Sequence, residues 1–411
     1  MELFHKGKGG LTMIDFEKEL KKAPKPIAQI KVIGVGGAGG NTINCMVTMK
    51  LENIEFIAAN TDAQSLDLSQ ASHKIQLGAK LTKGLGSGSN PEIGKKAAEE
   101  DLEKISDVIV DADIVFLTGG LGGGTGSGAL PVVARQLREK NILSIAVVTK
   151  PFEFEGKRRM KIADEALEKL KKEVDTIIVI PNQKLLAVTD KHMSLIDAFN
   201  IVNSVIGQFV KSISDIIAYP GHINVDFADI KTIMKNTGVA VMGTGRASGE
   251  DRAEMATLQA ISSPLLEEHS IKGARGILLN ITGNKDLGLH EVSAAASLLY
   301  EQADEDASIV LGSVIDESMG DEVAVTIIAT GFAHEAQKIA TPAVELGAKN
   351  ADKNYEKNYV SPEIRKENIY AQHEAIRETM QKTSDTLNLD DLEIPAVLRR
   401  MMKDQNSQQS E

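Results

Sequence analysis

The chain has 411 residues, of which 42% are hydrophobic and 25% charged, with a formal net charge of −12. That length accommodates two domains and a tail, and an acidic balance with no basic stripe excludes nucleic acid as the main partner. The single cysteine, Cys45, excludes an internal disulfide and fits a reducing compartment.

No apolar run reaches about 18 residues, and the N-terminus lacks the apolar core of a secretory signal. The sequence therefore predicts a cytoplasmic protein with no direct membrane insertion. Aromatic residues make up only 4% and there is no Trp. Ala, Val, Ile and Leu must then build the core, as in buried parallel sheets.

Residues 1–26 are polar and Lys-rich and read as an N-terminal extension. Over 27–193, strand patterns at 30–35, 54–59, 113–118, 142–148 and 175–180 alternate with helical ones, including 91–106, 127–140 and 158–173. Alternation of this kind predicts a doubly wound, Rossmann-like parallel sheet with its ligand at the strand C-terminal ends. Residues 194–218 carry apolar side chains at intervals of three and four over much of the circumference. This predicts a long central helix buried between two masses, stopped by Tyr219, Pro220 and Gly221.

Residues 219–331 read as a smaller α/β domain, with strands at 239–242, 276–281, 309–313 and 323–330. Its helices are expected near 229–235, 251–262 and 288–301. Residues 332–388 are mixed-charge and polar, the composition of a disordered linker. As a flexible coil they average about 40 Å end to end. Residues 389–411 regain an apolar–basic pattern and read as a docking peptide that folds on a partner.

Three glycine loops carry the chemistry. Residues 119–128 read Gly-Gly-Leu-Gly-Gly-Gly-Thr-Gly-Ser-Gly between a strand pattern and a helical one. Such a unit aims bare backbone N–H groups and a helix N-terminus at one point, which is an anion site. Residues 34–41 repeat the arrangement, and Gly34, Gly36 and Gly39 satisfy the dinucleotide fingerprint G-x-G-x-x-G. A dinucleotide needs one such turn, however, and a third loop follows at Gly84, Gly86 and Gly88. Three loops suit a triphosphate gripped from several sides. The lysine-bearing P-loop pattern is absent from the sequence.

Other candidates follow the loops. Glu155 and Arg159 stand at i, i+4 after a strand, as a surface ion pair or as a clamp on ribose hydroxyls. Asn182 follows another strand end and can cap or contact a nucleotide. Phe199 and Asn203 lie one turn apart at the start of the central helix, as core packing or as a stacking ring with an amide for a base edge. Asn224, Asp226 and Asp229 open the next helix, as an N-cap with a first-turn acid or as a set that orients water. A 25-residue helix is about 37 Å long, so these acids and the glycine loops belong to opposite ends. Head-to-tail stacking of subunits would reunite them, and a heterologous contact that does not close yields a filament. No histidine spacing or cysteine cluster suggests a metal site. With few cations in the loops, Mg²⁺ held by phosphates and water is expected beside a triphosphate.

Assembled, these motifs resemble the tubulin/FtsZ family of GTPases. Residues 122–128 resemble its signature G-G-G-T-G-[ST]-G, with further matches at 34–44, 60–64, 84–94, 151–159, 220–229, 241–252 and 261–266. The resemblance spans about 29–331 and the final peptide. It implies a GTPase domain, a central helix and a smaller α/β domain, with GTP hydrolysed to GDP and phosphate between adjacent subunits. In that scheme Gly36, Gly37, Gly124, Thr125 and Gly126 hold phosphates, while Ala38, Gly39, Asn41, Asn60 and Gly123 complete the nucleotide site. Glu155 and Arg159 bind ribose, and Asn182, Phe199 and Asn203 address guanine and ribose. Asn224, Asp226 and Asp229 act on the nucleotide of the neighbour.

The resemblance further implies a head-to-tail homopolymer forming the cytokinetic ring at mid-cell in bacteria, with plasmid partition or another cytoskeletal task as the alternative. Leu392–Arg400 would dock an adaptor or actin-like membrane tether. Four positions depart from the family pattern: Leu121 stands where Met is usual, Ser127 where Thr is usual, Glu393 where Asp is common and Val397 where Phe is common. The smaller Val397 would weaken the docking.

Overall fold

The computed structural model describes residues 28–185, 193–218, 223, 225–263, 265–266 and 271–332. The expected N-terminal extension, linker and docking peptide, and Asn224, lie outside the described residues.

The first half alternates strand and helix as expected, with one strand, at 73–76, beyond the five expected there. Its strands are β1 (Ile30–Val35), β2 (Ile54–Asn60), β3 (His73–Gln76), β4 (Ile114–Gly120), β5 (Leu143–Lys150) and β6 (Thr176–Pro181). Its longer helices are α1 (Gly36–Thr48), α2 (Pro91–Glu100), α3 (Leu102–Ile109), α4 (Thr125–Glu139) and α5 (Lys157–Leu170). Then come α6 (Leu195–Ala218), α7 (Phe227–Met234), β7 (Gly238–Ser248), α8 (Arg252–Ile261), β8 (Gly276–Gly283), α9 (Leu289–Gln302), β9 (Ser308–Ile315) and β10 (Glu322–Thr330).

All six residues of β1 are buried, because helices cover both faces of the sheet. Period-two alternation divides them. Ile30 and Val32 join one core with Val202, Ile206, Phe209 and Ile213 of α6. Ile33 and Val35 join the opposite core with Ala129, Leu130 and Val133 of α4. Phe209 meets Phe116 of β4 edge to face, with centroids 6.1 Å apart. By length and hydropathy α6 would pass for a membrane span, but half of that stretch is buried in the protein.

One sequence expectation changes. The helix expected over 91–106 breaks at Asp101, which has φ −112° and ψ 28°. Its carboxylate instead accepts from the Gly78 N–H at 2.7 Å and pairs with Lys104. The strands of the smaller α/β domain continue the sheet of the first. Among the described residues one ten-stranded sheet runs β3-β2-β1-β4-β5-β6-β7-β10-β8-β9. Only three residue pairs, Thr176 to Ile178 with Gly238 to Ala240, join β6 to β7 in parallel. Beyond them β10 pairs antiparallel with both β7 and β8. The order reverses direction around β1 and β4, which is where such sheets bind ligands, outside the strand C-terminal ends.

Candidate functional site

At that switch point the glycine loops enclose a cavity of about 680 Å³. Two helices begin at its wall. α1 starts after Val35 and α4 after Gly124, and neither N-terminus has a side-chain cap or a first-turn acid. The first N–H groups of a helix have no partner within it, so both ends offer donors and a positive dipole to an anion. The neighbouring α2 shows the contrast, since Asn90 caps it by accepting from the Glu92 N–H at 3.0 Å. Gly36 has φ +74°, a conformation glycine adopts without strain. It turns β1 directly into α1 beside Gly126 and Thr125. At Gly37 and Gly123 an added Cβ would meet no atom within 4 Å, so both positions present bare backbone to open volume.

Of the predicted nucleotide residues, Gly36, Gly37, Ala38, Asn41, Asn60, Gly123, Gly124, Thr125, Gly126, Glu155, Arg159, Asn182, Phe199 and Asn203 all line this cavity. Gly39 does not. A Cβ there would fall 2.7 Å from the Gly34 carbonyl carbon and 2.8 Å from the Thr118 oxygen. Its glycine lets α1 lie against β1 and β4, a packing requirement that the sequence pattern cannot distinguish from ligand contact.

The polar lining is specific. Glu155 accepts from Arg159 and from the Phe152 N–H, the latter at 3.0 Å, so the ion pair exists and faces the cavity. Phe199 is 38% exposed and stands edge to face against Phe152, which makes its ring available rather than part of the core. Asn203 Oδ1 accepts from the Thr42 hydroxyl at 2.9 Å. Asn182 is buried, and its Oδ1 has no hydrogen-bond partner among the described residues. A buried acceptor of this kind fits a ligand donor. Sequence reasoning missed two hydroxyls: Thr61 and Ser87 lie 2.7 Å and 3.0 Å from Thr125 Oγ1. Hydroxyl side chains in loops at strand ends were the available signal.

Asp226 and Asp229 do not line the cavity. Both are exposed at the start of α7, and Asp229 Oδ2 accepts from the Asp226 N–H at 3.2 Å. The capping arrangement is therefore present, with both carboxylates still open to solvent. The 24 residues of α6 correspond to about 36 Å. Phe199, Val202, Asn203 and Ile206 of its first turns line the cavity, while the acids follow its far end. A larger cleft of about 1050 Å³ lies near the strand N-terminal ends, where Arg138, Lys172 and Lys235 stand at the C-termini of α4, α5 and α7. Cations there complement the helix dipoles, and no predicted site residue lines it.

Fold and site thus define an α/β protein of the nucleotide-binding class, whose loops turn bare backbone and two helix N-termini toward one cavity. The family model "Tubulin/FtsZ family, GTPase domain" matches residues 29–190, and "FtsZ family, C-terminal domain" matches 238–333. Among solved structures, an empty FtsZ dimer from M. jannaschii is 44% identical, with a TM-score of 0.72 over 78% of this chain and 93% of that one. A tryptophan-to-tyrosine mutant of M. jannaschii FtsZ is 43% identical, with a TM-score of 0.72 over 78% and 96%. GDP-bound monomeric CetZ1 from Haloferax volcanii shares the fold at 23% identity, with a TM-score of 0.66 over 74% and 95%. The chain belongs to the tubulin/FtsZ family and is a GTPase.

Proposed function

We propose that this protein polymerises head to tail and hydrolyses GTP at the junction between subunits. The observation that carries the reading is the separation of cavity and acids by the length of α6. In this reading the Gly36–Gly37 and Gly123–Gly126 backbones bind the phosphates, with Thr125 donating to them and Ala38, Asn41 and Asn60 closing the walls. Glu155 and Arg159 hold the ribose. Asn182 and Asn203 meet the edges of guanine, and the Phe199 ring stacks on it. Asp226 and Asp229, with Asn224, polarise the attacking water on the neighbour's nucleotide, as carboxylates do in general base catalysis.

Mg²⁺ in this reading is held mostly by phosphate and water, where it would neutralise phosphate charge. The M. jannaschii relative is described as a dimer, which supports assembly of like chains. The finer reading is a cytokinetic ring at the mid-cell division site of a bacterium, tethered through Leu392–Arg400. It rests on the family resemblance and on that terminal peptide.

Pelleting and phosphate release, measured together in Mg-GTP, test the reading. Wild type should pellet and hydrolyse at a rate that rises more steeply than its concentration. A rate per molecule that is independent of concentration, with no pelleting, would show that one chain holds the whole site. Retrieval of division proteins by the Leu392–Arg400 peptide checks the finer assignment, and retrieval of partition proteins alone would overturn it.

A further inference from the structure

The cleft near the strand N-terminal ends is basic, in a chain whose net charge is −12. Some of its cations are taken up locally: Arg138 pairs with Glu173 at 3.2 Å, and Lys171 with Glu168 at 2.9 Å. Lys172, Lys231, Lys235 and Arg275 also line the cleft and have no ion pair among the described residues. Asp175 is the remaining acid of the lining, and its carboxylate accepts from the Ser144 N–H at 2.9 Å and hydroxyl at 3.0 Å.

Helix dipoles balance part of this charge. α4, α5 and α7 end at the cleft, each with about half a negative charge. With Asp175 they offset about two and a half of the unpaired positive charges and leave about one and a half. A concave surface of one sign concentrates its field on a counter-ion.

The walls come from both domains. Lys172 follows α5, whereas Lys231 and Lys235 stand at the end of α7 and Arg275 just before β8. Gly238 lines the cleft where it begins the β6–β7 pairing. An anion that meets Lys172 and Arg275 therefore spans that short junction. None of the exposed large apolar side chains lines the cleft, so a peptide would find no anchor there. Its volume of about 1050 Å³ has room for several linked oxyanion groups.

We propose that this cleft binds a free multivalent oxyanion of the polyphosphate type, which bridges the two domains across the β6–β7 junction. Guanidinium and ammonium groups meet such oxygens through charge-assisted hydrogen bonds.

Calorimetric titration of the full chain with tripolyphosphate, at saturating GDP and without Mg²⁺, tests this. GDP keeps the probe out of the nucleotide cavity. Wild type should bind tripolyphosphate saturably, and more tightly than it binds inorganic phosphate. Lys172→Glu and Arg275→Glu, one on each wall, should each weaken binding about 3- to 10-fold. Arg246→Glu makes the same charge change at an exposed site outside the cleft. It should leave affinity within about twofold, since solvent and salt screen it. GDP affinity checks that each variant is folded; where a reversal unfolds the chain, Lys172→Gln and Arg275→Gln carry the same test. No saturable binding, a probe affinity that falls as GDP is raised, an equal loss in Arg246→Glu, or a loss from one wall alone overturns the inference.

Discussion

Gly123 and Gly124 are adjacent, and the structure assigns them separable consequences. A Cβ on Gly124 would fall 2.7 Å from the backbone nitrogen of Asn90. Ordinary contact begins at 3.4 Å, so the shortfall is about 0.7 Å against backbone that cannot rotate away. Overpacking of this kind costs about 1–3 kcal/mol. Replacing glycine at a compatible φ returns about 0.4–1 kcal/mol through the unfolded chain. Gly124→Ala should therefore lose about 1–2 kcal/mol of stability, at roughly 2–4 °C in Tm for each.

Gly123→Ala carries the same entropic gain and meets no protein atom within 4 Å. Its nucleotide-free Tm should hold or rise slightly, while its methyl group occupies the volume that the proposed function gives to phosphate. GDP affinity should fall at least about tenfold, equivalent to about 1.4 kcal/mol. Thermal melting without nucleotide and titration with GDP separate the two variants. If Gly123→Ala melts as low as Gly124→Ala, or binds GDP like wild type, the assignment of bare backbone to phosphate is refuted.

Three further outcomes are expected. Asp226→Ala should bind GTP normally yet release phosphate about 100-fold more slowly, within the range for loss of a general base; a purified mutant with normal turnover would remove the acid from the mechanism. Phe209→Ala empties a fully buried site against Phe116 and should cost about 3–5 kcal/mol in chemical denaturation; a loss under about 1 kcal/mol would contradict the packing described. Glu291 is held below the usual carboxylate range, first by the Arg252 side chain and then by the Gly288 N–H, against the opposing effect of burial. A depressed folded-state pKa contributes stability above the unfolded value and loses it as pH falls through the folded one, so Glu291→Gln should flatten the acid limb of a stability-versus-pH curve.

Much of the molecule was legible locally. Apart from β3, the strand order followed from periodicity and from glycine and proline punctuation, because burial on a sheet or helix face repeats along the chain. Phe199 with Asn203 was readable as a pair because one helical turn brings i and i+4 together, whereas Glu155 and Arg159 meet across Gly156, at φ +96°, at the start of α5. The opposition of Asp226 to the glycine loops needed only the rise of a helix.

Tertiary structure alone decided the rest. The capture of the Gly78 N–H by Asp101 broke a helix whose apolar pattern ran on. Three residue pairs between β6 and β7 join the strands of the two expected domains in one sheet. Gly39 and Gly37 look alike in sequence, yet one packs against Gly34 and the other opens to the cavity. Thr61 and Ser87 reach Thr125 across 64 and 38 residues. Periodicity reports how a segment meets its surroundings and carries no record of which distant segment supplies them. Strand pairing, close backbone approach and converging hydroxyls depend on that partner, so they became visible only in the folded chain.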